Sequence, residues 1–137
     1  MIFKELNENE ANEYREWARE NHRAGDLINE VWHPVVRAEC AKINCSIEDT
    51  DFTHLQGGFN MPYAELVRIL GEPNRGTDGY KTDAEWMLNY NDVVATIYNY
   101  KNGPNYTGEG TIEGITEWNI GGRDIKAAAV VQSLINQ

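Results

Sequence analysis

The sequence predicts a single α+β domain, in which an antiparallel β-sheet is combined with two N-terminal helices, one middle helix and a C-terminal helix. Three observations indicate this fold class. The first third of the chain has a helical apolar rhythm, and strand-like segments with turn signals follow in residues 83–120. A length of 137 residues suits one domain with a buried core. Residues 1–137 are therefore treated as one domain.

Two helices are predicted in residues 10–43, where apolar residues recur every three to four positions. The expected break is Ala24-Gly25-Asp26, because glycine is unfavourable inside a helix and Asp26 can cap the next one. Pro34 is expected to bend or restart the second helix.

The middle helix follows a short strand predicted at residues 52–59. Asn60 can cap this helix, Pro62 suits its first turn, and Gly71-Glu72-Pro73 ends it. Residues 74–79 are rich in turn formers, so an exposed loop with nothing to pack is expected there.

A β-hairpin is predicted from residues 83–90 and 93–101, which meet at Asn91-Asp92, a pair that tolerates positive φ. Residues 102–114 are expected to form a long loop, because they contain four glycines and few apolar groups. A strand at residues 115–120 follows, after which Gly121-Gly122 is expected to turn the chain into the closing helix.

The charge balance excludes some partners. Lys and Arg number 12 against 22 Asp and Glu, and the net charge of -10 repels nucleic acid polymers. Such acidity can keep a domain soluble, imitate DNA or favour docking on a basic protein. The start has no signal-peptide hydrophobic region and no later segment is long enough to span a membrane, so a cytoplasmic location without a membrane partner is predicted.

No catalytic or metal-binding constellation is evident. His22, His33 and His54 lie far apart in sequence, and Cys40 and Cys45 have no second pair that would complete a zinc site. No nucleophile with a base and no spaced pair of carboxylates can be recognised. The sequence therefore predicts a protein that is not an enzyme and that has no metal or cofactor.

Four Trp and seven Tyr provide stacking surfaces for a nucleobase, and two basic sites could meet phosphate. The first is Asn21-His22-Arg23, which could instead cap the C-terminal end of a helix. The second is Gly121-Gly122-Arg123-Asp124, where backbone N–H groups and Arg123 would meet at the start of a helix, unless it is a plain turn with a surface arginine.

Alternation along the second hairpin strand places Thr96, Tyr98 and Tyr100 on one face and Ile97, Asn99 and Lys101 on the other. One of these faces is partly polar. If Ile97 faces the core, Asn99 and Lys101 reach the end of the strand as polar groups near the long loop and are candidates for a pocket rim, although the strand end could also simply meet solvent. Trp118 is either a core residue or a ligand platform near Gly121.

Several segments together carry a resemblance to a known family. They are Tyr63-Ala64-Glu65-Leu66, Gly71-Glu72-Pro73, Asp83-Ala84-Glu85-Trp86, Thr96-Ile97-Tyr98-Asn99-Tyr100-Lys101 and Glu117-Trp118-Asn119-Ile120-Gly121-Gly122. With the helical Asn21-His22-Arg23 region, they resemble the first Thoeris anti-defence family. Members of that family are phage proteins that sequester cyclic ADP-ribose signals made by bacterial immune TIR enzymes.

The resemblance implies a sponge in the host bacterial cytoplasm that binds its ligand without cleaving it. It also implies a symmetric homo-oligomer, a hexamer, with pockets between subunits. Thr96, Asn99, Trp118 and Arg123 become candidates for a cyclic ADP-ribose pocket. His22 and Arg23 become candidates for a second, shared site for cyclic di- or trinucleotides.

Two other functions stay open at this point. One is an acidic phage inhibitor that binds a host defence protein directly, in the manner of an anti-CRISPR. The other is a small nucleotide-cleaving enzyme, in which His22 or Glu117 would act as acid or base beside a bound phosphate.

Overall fold

The computed structural model describes residues 3–136. Its main helices are α1 (Glu8–Asn21), α2 (Pro34–Asn44), α3 (Tyr63–Leu70), α4 (Pro104–Thr107) and α5 (Lys126–Ile135). Its strands are β1 (His54–Asn60), β2 (Glu85–Tyr90), β3 (Val93–Tyr98) and β4 (Glu117–Gly122). Short 3-10 turns lie at Glu48–Thr50 and Ile112–Gly114. The predicted single α+β domain with an antiparallel sheet is confirmed.

All strand pairs are antiparallel, in the order β1-β4-β3-β2. β2 and β3 form the predicted hairpin, with φ of 49° at Asn91 and 72° at Asp92, as a type I′ turn requires. Helices α2 and α5 pack on one face of the sheet, which we call the helix face. Trp86, Ile97 and Ile120 are fully buried there, so the main core lies between the sheet and these helices.

The N-terminal helices are separated by a longer break than predicted. α1 begins with a capping box, in which Asn7 Oδ1 accepts from the Glu10 N–H at 2.8 Å. α2 begins only at Pro34, where His33 Nδ1 accepts from the Val35 N–H at 3.1 Å. Asp26 was expected to cap α2, but its carboxylate accepts from the Arg23 N–H in a tight turn instead.

Residues 22–33, here called the linker, have no regular secondary structure. Two asparagine side chains satisfy its backbone instead. Asn44 accepts from the Gly25 N–H at 2.8 Å, and Asn91 accepts from the Ile28 N–H at 2.8 Å and donates to the Ile28 carbonyl. Because the partners come from α2 and the hairpin turn, this segment needs no helix to pair its polar groups.

Helix α3 ends as predicted at Gly71, whose φ is 75°. Asn60 is not its cap, because Asn60 is the last residue of β1 and Pro62 precedes the helix without a side-chain cap. The segment after α3 is not a free loop either. Asn74 exchanges two hydrogen bonds with the Met87 backbone, and Arg75 forms an isolated bridge with Glu85.

Another correction concerns β4, which runs through Gly121 and Gly122 instead of turning there. Both glycines pair with β1 on one side and with β3 on the other. A Cβ atom at Gly122 would lie only 2.2 Å from the Cβ of Ala127, so glycine lets α5 approach the sheet. Among the residues described here, no helix is both long and apolar enough to cross a membrane.

Candidate functional site

The face of the sheet opposite α2 and α5 carries a polar pocket, which we call the sheet-face pocket. Its volume is about 250 Å³. The register pairs Glu85 with Tyr98 and Thr96 with Gly121, so these four residues share the face. The full lining is Thr50, Thr53, His54, Arg75, Glu85, Thr96, Tyr98 and Gly121. The pocket therefore lies on the Thr96 and Tyr98 face of β3, and the rim candidates Asn99 and Lys101 do not line it.

Thr96 and Gly121 form the floor of this pocket. A Cβ atom at position 121 would lie 2.4 Å from Thr96 Oγ1 and 3.4 Å from Tyr98 Cε1, so any other residue would fill the space. Thr96 is only 4% exposed, yet among residues 3–136 its hydroxyl has no hydrogen-bond partner. Because this hydroxyl lines the pocket and has no protein partner, it is available to a polar ligand atom.

One wall of the sheet-face pocket is an ion pair. Arg75 Nε lies 3.1 Å from Glu85 Oε2, and the Arg75 N–H donates to the Glu85 carbonyl at 3.2 Å. Arg75 also donates to Thr50 Oγ1 through Nη1. Burial raises the pKa of Glu85, although the positive charge of Arg75 opposes this shift. The wall thus offers a guanidinium and a carboxylate together.

The phenol of Tyr98 completes the polar lining. Burial raises its pKa, and the negative charge of Glu85 adds to the effect, so the phenol is neutral at physiological pH. It can donate or accept a hydrogen bond. The pocket therefore combines hydroxyl groups, a carboxylate and a guanidinium, which suits a ligand carrying both hydroxyl and phosphate groups.

Arg123 lies outside the lining and holds the wall in place. Its Nη2 donates to the Asp49 carbonyl at 2.6 Å, and its Nε donates to the Asp51 carbonyl at 3.3 Å. Thr50, between these two carbonyls, contributes to the pocket. The expected group of free N–H donors around Arg123 is absent, because Gly121 and Gly122 lie inside β4.

His22 and Arg23 lie at the end of α1 and line no part of the sheet-face pocket. The buried His22 ring donates from Nε2 to Asn44 Oδ1 at 2.9 Å, while Asn44 Nδ2 donates to the Asp26 carbonyl. Arg23 is exposed, and its backbone N–H closes the turn with Asp26. His22 therefore anchors the linker through Asn44, and the side chain of Arg23 lies on the surface.

Asn99 stabilises the fold beyond the end of β3. It is fully buried, and its amide makes four hydrogen bonds. Oδ1 accepts from the Asp83 and Ala84 N–H groups at 2.7 and 3.1 Å. Nδ2 donates to Asp83 Oδ2 at 2.8 Å and to Asn102 Oδ1 at 3.1 Å. A ligand would have to replace one of these bonds in order to contact Asn99.

Trp118 packs in the core on the helix face and is 2% exposed. Its Nε1 donates to the Met61 carbonyl at 2.9 Å, and its ring contacts Trp86 edge to face and stacks on Tyr63. Of the six candidates, only Thr96 lines the sheet-face pocket, and Arg123 supports its wall. Asn99, Trp118, His22 and Arg23 are not brought to it.

Sequence reasoning missed Arg75, Glu85 and Tyr98 as pocket residues. The Asn91-Asp92 turn fixes the hairpin register, which places Glu85 opposite Tyr98 and beside Thr96. That signal was available in the sequence. Arg75 had no comparable signal, because its position depends on the bridge that the segment after α3 makes with β2.

Among the described residues, no group of three or more His, Cys, Asp or Glu side chains is arranged so that it could bind a metal ion. Comparisons with known proteins add no functional information: no family model matches this chain, and neither the curated proteins nor the solved structures include a match.

Proposed function

We propose that this protein binds a nucleotide signal of the cyclic ADP-ribose type in the sheet-face pocket and holds it without cleaving it. The observation that carries the proposal is the pocket-lining hydroxyl of Thr96, which has no protein partner among residues 3–136 and is left accessible by Gly121. The Arg75–Glu85 pair lies beside it. In dinucleotide-binding proteins a carboxylate commonly accepts hydrogen bonds from ribose hydroxyls, and arginine is suited to phosphate.

The size of the pocket limits what it would hold. Sites for drug-sized ligands have volumes of about 300–1,000 Å³, so a pocket of about 250 Å³ suits one ribose with an adjoining phosphate. The rest of the ligand would lie on neighbouring surface or on a second copy of the chain. This fits the homo-oligomer, a hexamer, that the family resemblance implies, acting in the host cytoplasm.

Retention without cleavage is proposed because the charged groups in the pocket already pair with one another. Glu85 pairs with Arg75, and neither His22 nor Glu117, the acid or base candidates of the enzyme hypothesis, lines the pocket. One observation favours the enzyme as a second candidate. The raised pKa of Glu85, which lines the same pocket as the exposed His54, would suit general acid catalysis.

The test is capture and release of ligand. The purified protein is mixed with cyclic ADP-ribose isomers, washed and heat-denatured, and the released molecule is identified by mass spectrometry. Recovery of the intact cyclic nucleotide supports the sponge, and an altered product supports the enzyme. No retained ligand would contradict both and would favour the acidic inhibitor that binds a host protein.

A matched pair of variants assigns the site. Thr96→Val removes only the buried hydroxyl and keeps a β-branched side chain suited to β3. Thr116→Val makes the same change at an exposed position outside the pocket lining. Loss of capture in Thr96→Val but not in Thr116→Val is expected. Equal capture by both variants would place binding elsewhere.

A further inference from the structure

A larger cavity lies between α1 and α3, and we call it the α1–α3 cleft. Its volume is about 680 Å³, and it shares no lining residue with the sheet-face pocket. Four of the 12 Lys and Arg residues in this acidic chain line it: Arg15, Arg19, Lys42 and Arg68. Such a concentration of positive side chains is unexpected in a chain with a net charge of -10.

Helical spacing explains how α1 contributes to the cleft. Asn12, Arg15 and Arg19 follow one another at intervals of three and four residues, so they lie on one face of the helix. Arg15 occupies the buried stripe together with Ala11 and Ala18. The sequence thus places a cation where an amphipathic helix normally has an apolar residue.

Arg15 is 6% exposed, and its hydrogen-bond partners are neutral. Nη1 donates to the Arg68 carbonyl at 3.0 Å, and Nη2 donates to Asn12 Oδ1 at 3.2 Å. Within residues 3–136, no carboxylate forms an ion pair with it. Burial lowers the pKa of Arg15, but arginine keeps its charge in proteins. The negative charges of Glu39, Glu72 and Glu8 act on Arg15 from a distance without forming an ion pair. A buried charge without a paired counter-charge is unfavourable, and a bound anion would provide one.

Among residues 3–136, Glu39 is the one buried carboxylate that pairs with cations of the cleft, and it is not itself a lining residue. Arg19 Nε and Lys42 Nζ each lie 3.1 Å from one of its oxygens, and Lys42 also donates to the Glu72 carbonyl. Glu39 Oε1 has no hydrogen-bond partner among the described residues, although the Lys42 ammonium lies 3.1 Å from it. Arg19 and Lys42 thus share this one buried carboxylate, and Arg15 forms no ion pair with it.

Other carboxylates near the cleft do not remove this excess. Glu8, Glu72 and Glu113 line it, but all three residues are exposed and solvated. Exposed charges are screened by water and salt far more than buried ones are. Arg68 is already paired, with Glu65 and with Glu5, so the unneutralised charge comes from Arg15, Arg19 and Lys42.

We infer that the α1–α3 cleft is a second binding site, whose ligand is a small phosphorylated organic molecule with its phosphate between Arg15 and Lys42. Gly71 keeps this space open, because a Cβ atom there would lie 2.8 Å from Lys42 Nζ and 3.1 Å from Arg15 Cδ. The half-buried ring of Tyr63 gives the cleft an aromatic wall for the organic part. The volume lies within the range of small-molecule sites.

Ala64 allows a test that leaves the cationic residues intact. It lines the cleft from an exposed position on α3, where glutamate and glutamine are both good helix formers. Ala64→Glu adds a negative charge to the cleft, and it can also pair with Arg68 one turn later. Ala64→Gln is the matched control, with nearly the same size and no charge.

The probes are sodium pyrophosphate and ADP, each titrated separately at low ionic strength and followed by calorimetry and by amide NMR shifts. Both are expected to bind the wild type, ADP more tightly because of its organic part. Ala64→Glu should weaken both about tenfold or more, while Ala64→Gln stays within about twofold. Pyrophosphate binding as tight as ADP binding would show that the cleft recognises phosphate alone. It would overturn the inference that the ligand has an organic part.

The inference is overturned if neither probe shifts the amides around Gly71, or if the Glu and Gln variants weaken binding equally. Arg19→Gln removes a largely exposed guanidinium and is expected to weaken pyrophosphate without unfolding the chain. Thr116→Val should leave pyrophosphate binding unchanged, because Thr116 lines neither cavity. Amide shifts around Gly71 report on the cleft and shifts around Gly121 report on the sheet-face pocket, so the two sites can fail independently.

Discussion

Replacing Asn99 by aspartate tests how strongly one buried amide organises the end of the hairpin. Asn99→Asp keeps the oxygen that accepts from the Asp83 and Ala84 N–H groups. It replaces the Nδ2 donor by a second oxygen, which would face Asp83 Oδ2 across 2.8 Å. The substitution conserves shape and therefore isolates the loss of a donor and the addition of a charge.

The structure gives the size of the effect. Two carboxylates about 2.8 Å apart repel each other by about 6 kcal/mol at an effective dielectric constant of about 20. Holding a proton at pH 7 on a carboxyl group with an ordinary pKa of about 3.9 costs only about 4 kcal/mol. The folded variant will therefore bind a proton, and the free energy of unfolding should fall by about 4 kcal/mol.

The pH dependence has a definite sign. The pKa of the new carboxyl group is raised in the folded state, so the loss is small below about pH 4 and grows by about 1.4 kcal/mol per pH unit. At about pH 5 the expected loss is about 1.5 kcal/mol. Urea unfolding of wild type and variant at both pH values measures the difference.

Asn29→Asp provides the control, because this exposed residue keeps its acceptor role toward the Val31 N–H and gains the same charge. We expect it to change the free energy of unfolding by less than about 0.5 kcal/mol. A loss for Asn99→Asp that is the same at both pH values would refute the carboxylate repulsion. An unchanged stability at pH 7 would refute the buried network itself.

Other substitutions and modifications test the packing and the titrating groups. Gly122→Ala should destabilise the fold by about 2–3 kcal/mol in thermal or urea unfolding, because its Cβ would overlap Ala127, while Gly114→Ala, with open space around it, should be nearly neutral. Since burial raises the pKa of Glu85 above its ordinary value of 4.5, the contribution of Glu85 to the free energy of unfolding falls as the pH rises above that value, and Glu85→Gln should gain stability relative to the wild type with rising pH in urea unfolding. Burial raises the pKa of Cys45 to about 11, so alkylation at about pH 7.5, followed by mass spectrometry, should be about 100-fold slower in the native protein than in urea.

Elements with local signals were predicted well from the sequence. The Asn91-Asp92 turn determined the hairpin, and Gly71-Glu72-Pro73 determined the end of α3. In each case the required backbone geometry depends on a few adjacent residues, such as positive φ at Asn91 and at Gly71. Such signals do not require knowledge of what packs against the segment.

Elements determined by distant contacts were predicted less well. Gly121 and Gly122 look like a turn in the sequence, but they lie inside β4 because α5 and Thr96 approach the two faces of the strand closely. The linker has helix-compatible residues, yet the side chains of Asn44 and Asn91 hold it in an irregular conformation. Tertiary contacts here outweigh local propensity.

The candidate site residues also divide into those with a local sequence signal and those whose position depends on distant contacts. Strand alternation grouped Thr96 with Tyr98, and both line the sheet-face pocket, while Trp118 and Asn99 have buried partners that only the folded chain reveals. Arg15 and Arg19 have visible helical spacing on α1. Their significance depends on how α1 lies against α3, which the spacing does not determine.

The linker gives α1 a degree of independence from the rest of the domain. Its backbone is tied to the core mainly by the side chains of Asn44 and Asn91, and no strand of the sheet has to separate when it opens. Local opening of such a segment requires less free energy than global unfolding. Hydrogen exchange should therefore be faster in the linker than in the strands, and opening of the linker would widen the way into the α1–α3 cleft for a bulky ligand without separating any strand pair.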